Sequence, residues 1–230
     1  MPADGPVVAM RRRPVLALGG LQERALTSPD GVGRQLVAAH DLSGSTWWIP
    51  AEAVWTDSST GERPQHPRPT GLSTADGEAA AILGGISDRL GWEAVEQRRQ
   101  GLDLPLLDAS IFSPGLGPCQ PGSTMMFDGR LDHDIPTVVV AGAHVLRWGA
   151  GQTWDDALHR AMYRSGAPAS ALSTEAELAW VSSRLDAAGL SIGVVDLGTT
   201  LLRQAGIARC SVQLCPSNEA GRSWDGARLN

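Results

Sequence analysis

Apolar residues recur at helical spacing most clearly between residues 74 and 100. Ala79, Ile82, Leu83, Ile86, Leu90 and Ala94 fall on one face of a 3.6-residue helix, and Asp76 is placed to cap its start. Upstream, Gln35 to Ala39 and Thr46 to Ile49 are short strand-forming runs. They flank Asp41-Leu42-Ser43-Gly44-Ser45, a set of turn residues, so a hairpin is expected there. Residues 105–112 (PLLDASIF) read as a strand. Thr137 to Ala141 is a β-branched run that reads as a buried strand. A helix opens at Thr153, whose hydroxyl can cap it, with Asp155 and Asp156 in its first turn, and runs to about Ser165. A second spans Thr174 to Ala188, with Thr174 and Glu177 spaced as a capping box and Gly189 as its stop. Ile192–Leu197 (strand), Thr199–Ala205 (short helix) and Cys210–Leu214 (strand) close the pattern, and Pro216 ends it.

The resulting order is strand, helix, strand, strand, helix, helix, strand, helix, strand. It predicts an α/β fold in the form of an α+β layered sandwich. Residues 1–33, rich in Gly, Pro and Arg, are expected to form a poorly ordered lead-in with one short helix or strand near Val15–Leu26. Residues 34–216 form the domain, with an exposed Pro/Ser/Thr-rich loop at 56–70. Residues 217–230 are a polar, flexible tail.

Composition narrows the chemistry. The 230 residues are 42% hydrophobic, enough for a packed core, and the formal net charge of −6 offers no general basic field for nucleic acid. Arg11-Arg12-Arg13 is the local exception, read as a solvated arm or as a docking arm for an acidic partner. All 19 basic residues are Arg. The absence of Lys excludes a Walker-type phosphate loop and Schiff-base catalysis. Cys119, Cys210 and Cys215 have neither zinc nor disulfide spacing, which points to a reduced, cytoplasmic protein. No run approaches a membrane span.

Some side chains could carry chemistry but have plainer readings. Asp132-His133-Asp134, with His144 nearby, suits a metal or an acid/base pair, or a polar turn before a strand. Asp155 and Asp156 could hold a cation or simply favour a helix start. Cys119 has no sequence-adjacent activator and reads as a loop thiol. Eight Trp stand against two Phe and one Tyr; Trp47, Trp48 and Trp55 cluster at the hairpin, as core residues or as a partner-binding surface.

Several segments, in order, resemble the YcaO family of ATP-dependent peptide-backbone modifiers. Gly71 to Ala94 (GLSTADGEAAAILGGISDRLGWEA) is similar to the family's Gly-Leu-Ala helix segment that ends in Glu-x-x-Glu-Arg. His40 to Trp55 resembles its hairpin, and Leu106 to Ser110 and Asp134 to Val140 its following strands. Gly149-Ala150-Gly151 with Asp156 to Met162 resembles its Gly-x-Gly and helix start, and Gly189 to Pro216 its closing strand-helix-strand. The likeness covers about residues 35–216. It implies a YcaO-like core lacking the family's N-terminal half, of which Gln22-Glu23-Arg24 is a faint echo.

The family uses carboxylates and an Arg to hold ATP and magnesium, forming thiazolines, oxazolines, thioamides or amidines. Here Glu-x-x-Glu-Arg falls on Asp88, Gly91 and Trp92, so Asp88 is the one surviving candidate for cofactor binding. Arg89 and Glu93 point elsewhere around the helix. The second acidic site falls on Arg164, and the family's Pro-rich tail has no counterpart. The resemblance therefore implies no catalytic residue, no bound metal and no cofactor for the chain alone, with ATP and Mg only if a partner completes the site. It implies an accessory protein in ribosomal peptide natural-product biosynthesis. Its partners would be a modification enzyme, a YcaO-type subunit or a precursor peptide; a homo-oligomer is possible, and nucleic acid and membrane are not expected. The rival expectation is one half of a split cyclodehydratase.

Overall fold

In this computed structural model the described residues are 23–27, 33–50, 54, 71–113, 124–142, 146–163 and 173–217. Two antiparallel sheets and four helices stack in layers. The larger sheet contains β1 (Glu23–Thr27), β2 (Gly33–His40), β3 (Thr46–Pro50), β4 (Leu72–Asp76), β8 (Leu190–Asp196) and β9 (Ile207–Pro216). Its order is β1-β2-β8-β9-β4, with β3 paired to β2. The smaller sheet is β5 (Thr124–Asp128), β6 (Thr137–Gly142) and β7 (Leu146–Ala150), in that order.

The expected hairpin forms with β2 and β3 antiparallel, His40 opposite Thr46. Its turn follows from Asp41, whose Oδ1 accepts hydrogen bonds from the N–H groups of Ser43 (2.9 Å) and Ser45 (2.7 Å), while Gly44 takes a positive φ. β1 lies across the end of the expected lead-in.

Helix α1 (Glu78–Arg99) is the centre of the fold. Its Ala81, Ile82, Leu83, Ile86 and Leu90 pack with Ile192 and Val212 of the larger sheet and Ala150 of β7. Val181 and Leu185 of α3 (Thr174–Ala187) join the same cluster. α2 (Trp154–Tyr163) covers the far side of the smaller sheet. There Val138 and Val140 meet Ala157, Leu158 and Ala161, whereas Val139 and Ala141 cluster with Ala94 and Val95 of α1. Burial on both faces explains why β6 reads as an unbroken apolar run. α4 (Thr200–Gln204) forms where a short helix is expected, and the Thr199 side chain caps it by accepting from the Leu202 N–H.

Four expectations are corrected. The helix expected from residue 74 begins at Glu78, and its N-cap is Gly77 without a side-chain cap; Asp76 belongs to β4. β4 is a polar edge strand, paired among the described strands with β9 alone, so it lacks the apolar alternation that signals a strand. Residues 105–112 do not form a strand. Leu106 makes one bridge to Phe127, and the Asp108 carboxylate then accepts from the Ser110 N–H, opening a 3-10 turn over Ala109–Ile111. α3 is capped by Ser173, whose side chain accepts from the Ala176 N–H, so Thr174 and Glu177 form no capping box. Finally, β5 and β7 have no counterpart among the expected elements.

Candidate functional site

A cleft of about 240 Å3 lies between the β4 edge, α1 and β7. Its lining includes Ser73, Thr74, Ser87, Asp88, Trp148 and Arg160. Asp88 sits here because α1 is clamped from both sides. On one side Gly71 (φ 84) turns the chain into β4, pressed so closely to β9 that a Cβ would lie 2.1 Å from the Val212 carbonyl oxygen. The Gly71 N–H thereby reaches Asp88 Oδ2 at 2.8 Å. On the other side Trp148 of β7 donates its indole N–H to Asp88 Oδ1 at 3.0 Å.

Trp148 can lie there only because residue 91 is glycine. A Cβ at Gly91 would fall 2.3 Å from Trp148 Cδ1 and 2.6 Å from its Cβ. Its ring also meets Trp92 edge-on, centroids 5.6 Å apart. The three positions Asp88, Gly91 and Trp92 therefore converge on one indole.

The floor of the cleft is a buried ion pair. Arg160 of α2 donates from both terminal nitrogens to Glu177 of α3, each at 2.7 Å, and from Nη1 to the Ala150 carbonyl at 2.9 Å. The two side chains are 3% and 0% exposed, so the guanidinium charge is answered inside the fold. Glu177 also accepts from the Gln152 N–H at 3.1 Å, and Ser87 Oγ from the Ala150 N–H at 2.7 Å. Sequence reasoning missed Trp148, Arg160 and Glu177 as parts of the site. Arg160 and Glu177 left a signal: each lies on the inward face of its helix, Arg160 between Leu158 and Ala161, where an unpaired charge would be costly.

The family resemblance implies magnesium and ATP, and the cleft does not fit them. A hard dication in such a site needs several oxygen ligands. The cleft brings one carboxylate, with each of its oxygens already accepting from an N–H. One turn on, Gly91 has no side chain and the indole occupies its space. Among the described residues no group of three His, Cys, Asp or Glu side chains is placed to share a metal ion. Arg89 and Glu93 answer each other: burial lowers the Arg89 pKa, the Glu93 carboxylate being the largest opposing influence, while burial raises that of Glu93.

The other candidates are dispersed. His133 lies in a turn before β6 and is buried, its Nδ1 accepting from the Ile135 N–H at 3.1 Å and its Nε2 without a partner among the described residues. Burial holds its pKa down at about 4. Asp134 (φ 53) pairs with Arg184 at 3.4 Å. Asp155 accepts from both the backbone N–H and the hydroxyl of Ser113, and Asp156 from the N–H and hydroxyl of the Thr153 cap, so both acids have structural work at the start of α2. Cys210 and Cys215 are buried free thiols, and burial pushes Cys210 up to about 12. Trp48 is half-buried on β3. The Trp47 side chain, Trp55, Cys119, His144, Arg164 and Arg11 to Arg13 lie outside the described residues, as do 218–230 of the expected tail. No helix among the described residues is long and apolar enough to cross a membrane.

No protein-family profile and no curated protein matches the chain. Solved structures do. A heterocyclase in complex with substrate and cofactor matches with a TM-score of 0.54 at 12% identity, over 84% of this chain and 34% of that one. The heterocyclase TruD matches with a TM-score of 0.49 at 14% identity, over 84% and 35%. The chain spans about a third of the length of each. At 12% identity the likeness to the first is one of fold: the mixed α/β layers described above are shared with part of a heterocyclase.

Proposed function

We propose that this chain is a non-catalytic, heterocyclase-like accessory protein of the YcaO type, acting in ribosomal peptide natural-product biosynthesis. In this reading it binds a partner modification enzyme or a precursor peptide. The observation that carries the reading is the lock formed by Asp88, Gly91 and Trp148. An indole stands where a second carboxylate would have to project, and the one acid that remains is held by two N–H donors. Trp47, Trp48 and Trp55 are the proposed partner-binding residues, because aromatic side chains at a hairpin supply large contact area at low entropic cost.

Titration calorimetry of the purified chain with ATP and magnesium tests this reading. No saturable heat is expected up to millimolar nucleotide, and binding in the micromolar range would overturn it. Incubation with ATP, a candidate partner subunit and a precursor peptide gives a second readout. A mass loss of one water per ring, abolished by Asp88→Ala, would place the chain instead as one half of a split cyclodehydratase.

A further inference from the structure

The cleft has lost the ligands for a dication but has kept the sign of its charge. Arg160 is compensated by Glu177, while Glu93 and Asp88 share the nearby Arg89, so two carboxylates stand against one guanidinium there and the balance is negative. A carboxylate has about four acceptor sites. Two are taken, by Gly71 and Trp148, and two are left for a ligand. Beside it stands the Trp148 indole, and Ser73, Thr74 and Ser87 are among the residues that line the cleft. At about 240 Å3 the space is below the ~300–1,000 Å3 of sites for drug-sized molecules, and suits a single side chain.

We propose that this cleft captures the guanidinium group of an arginine side chain presented by a bound peptide. Guanidinium is planar and weakly hydrated, pairs with a carboxylate through two N–H groups, and is attracted by an aromatic wall. Magnesium has the opposite needs, since it gives up water reluctantly and is satisfied only by several oxygens. The chain's net charge of −6 favours the approach of a basic peptide at longer range. The inference deepens the accessory reading and rests on it, because the cleft cannot hold a magnesium nucleotide and an arginine together.

The test follows the indole N–H resonances of the full chain labelled with nitrogen-15, with Trp148 assigned by the signal missing in Trp148→Phe. The probes are N-acetyl-arginine methylamide, its neutral citrulline isostere, and magnesium with ATP. The arginine probe is expected to shift the Trp148 signal saturably, at least about tenfold more tightly than citrulline. Asp88→Asn should remove that preference. Citrulline serves as the control if this variant fails to fold, since it changes the ligand and leaves the protein intact. Equal responses to arginine and citrulline, or none to either, overturn the arginine site and leave the accessory reading standing. A saturable response to magnesium with ATP overturns both.

Discussion

A methyl group added at residue 91 separates this structure from any arrangement in which α1 is an ordinary exposed helix. Gly91→Ala removes a poor helix former from the middle of α1, which by itself stabilises by about 1 kcal/mol. Here the new Cβ would lie 2.3–2.6 Å from the Cδ1, Cγ and Cβ atoms of Trp148. The clash includes Cβ, so turning the ring cannot relieve all of it. Either β7 shifts, at the ~1–3 kcal/mol typical of overpacking, or Trp148 swings out. Swinging out forfeits a hydrogen bond to a charged acceptor, worth about 1.5–3 kcal/mol, and the edge-on contact with Trp92, worth about 0.5–1.5 kcal/mol. Because Asp88 and Trp148 are only partly buried, the lower ends apply. The net expectation is a loss of about 1–2 kcal/mol, or roughly 2–8 °C in Tm for a chain of this size. Urea unfolding followed by far-UV circular dichroism measures it. A cycle with Trp148→Phe, which removes the donor and keeps a ring, should show a coupling of about 1 kcal/mol. Stabilisation by Gly91→Ala, as at any unobstructed helical glycine, would refute the placement of Trp148 against α1.

Arg160→Met should cost about 3–5 kcal/mol by stranding Glu177 in the core, and adding Glu177→Met should recover at least half of it; urea midpoints that fall further in the double variant would contradict the buried pair. His133 has a folded pKa of about 4 against 6.5 for the unfolded chain. The unfolded state therefore binds the extra proton, and stability falls as pH drops from about 6.5 to about 4, by roughly 3 kcal/mol in full. His133→Asn, which keeps an acceptor for the Ile135 N–H, should flatten that part of the curve, and an unchanged slope would show that His133 is not its source.

The sequence made elements legible where burial imposes a helical period or an unbroken apolar run. The apolar stripe of α1 and the β-branched run of β6 were read directly, because burial on a helix face or on both sheet faces imposes a period. β4 was hidden because its Leu-Ser-Thr-Ala-Asp run is an edge, stabilised by backbone pairing to β9 with little apolar burial. The run at 105–112 looked like a strand from its apolar content, but Asp108 closes a local turn that competes with pairing. Within the site, the absence of a side chain at Gly91 can be read from the chain. What fills that space cannot, because Trp148 is brought to Asp88 by the packing of β7 on α1, and no local pattern reports a contact between residues so far apart in sequence. Glu177 shows the same limit. Its spacing from Thr174 satisfied a local rule, and a tertiary ion pair with Arg160 took it.

Gly91 and Trp148 make physical sense only together. Clustered carboxylates that await a metal repel one another, and raise one another's pKa, until the ion arrives. A chain that keeps such a cluster without its ion carries that cost permanently. A lone carboxylate without a cation needs other donors, and a helical glycine alone adds a penalty from backbone entropy. The indole of Trp148 packed over Gly91 addresses both problems at once. It fills the volume above Gly91, and its N–H, with that of Gly71, gives Asp88 neutral donors in place of a cation. The carboxylate is then stable without a bound ion, and it still lines the cleft with acceptor capacity to spare. A stable fold and a residual attraction for an organic cation therefore have one cause, a single negative charge held by dipoles.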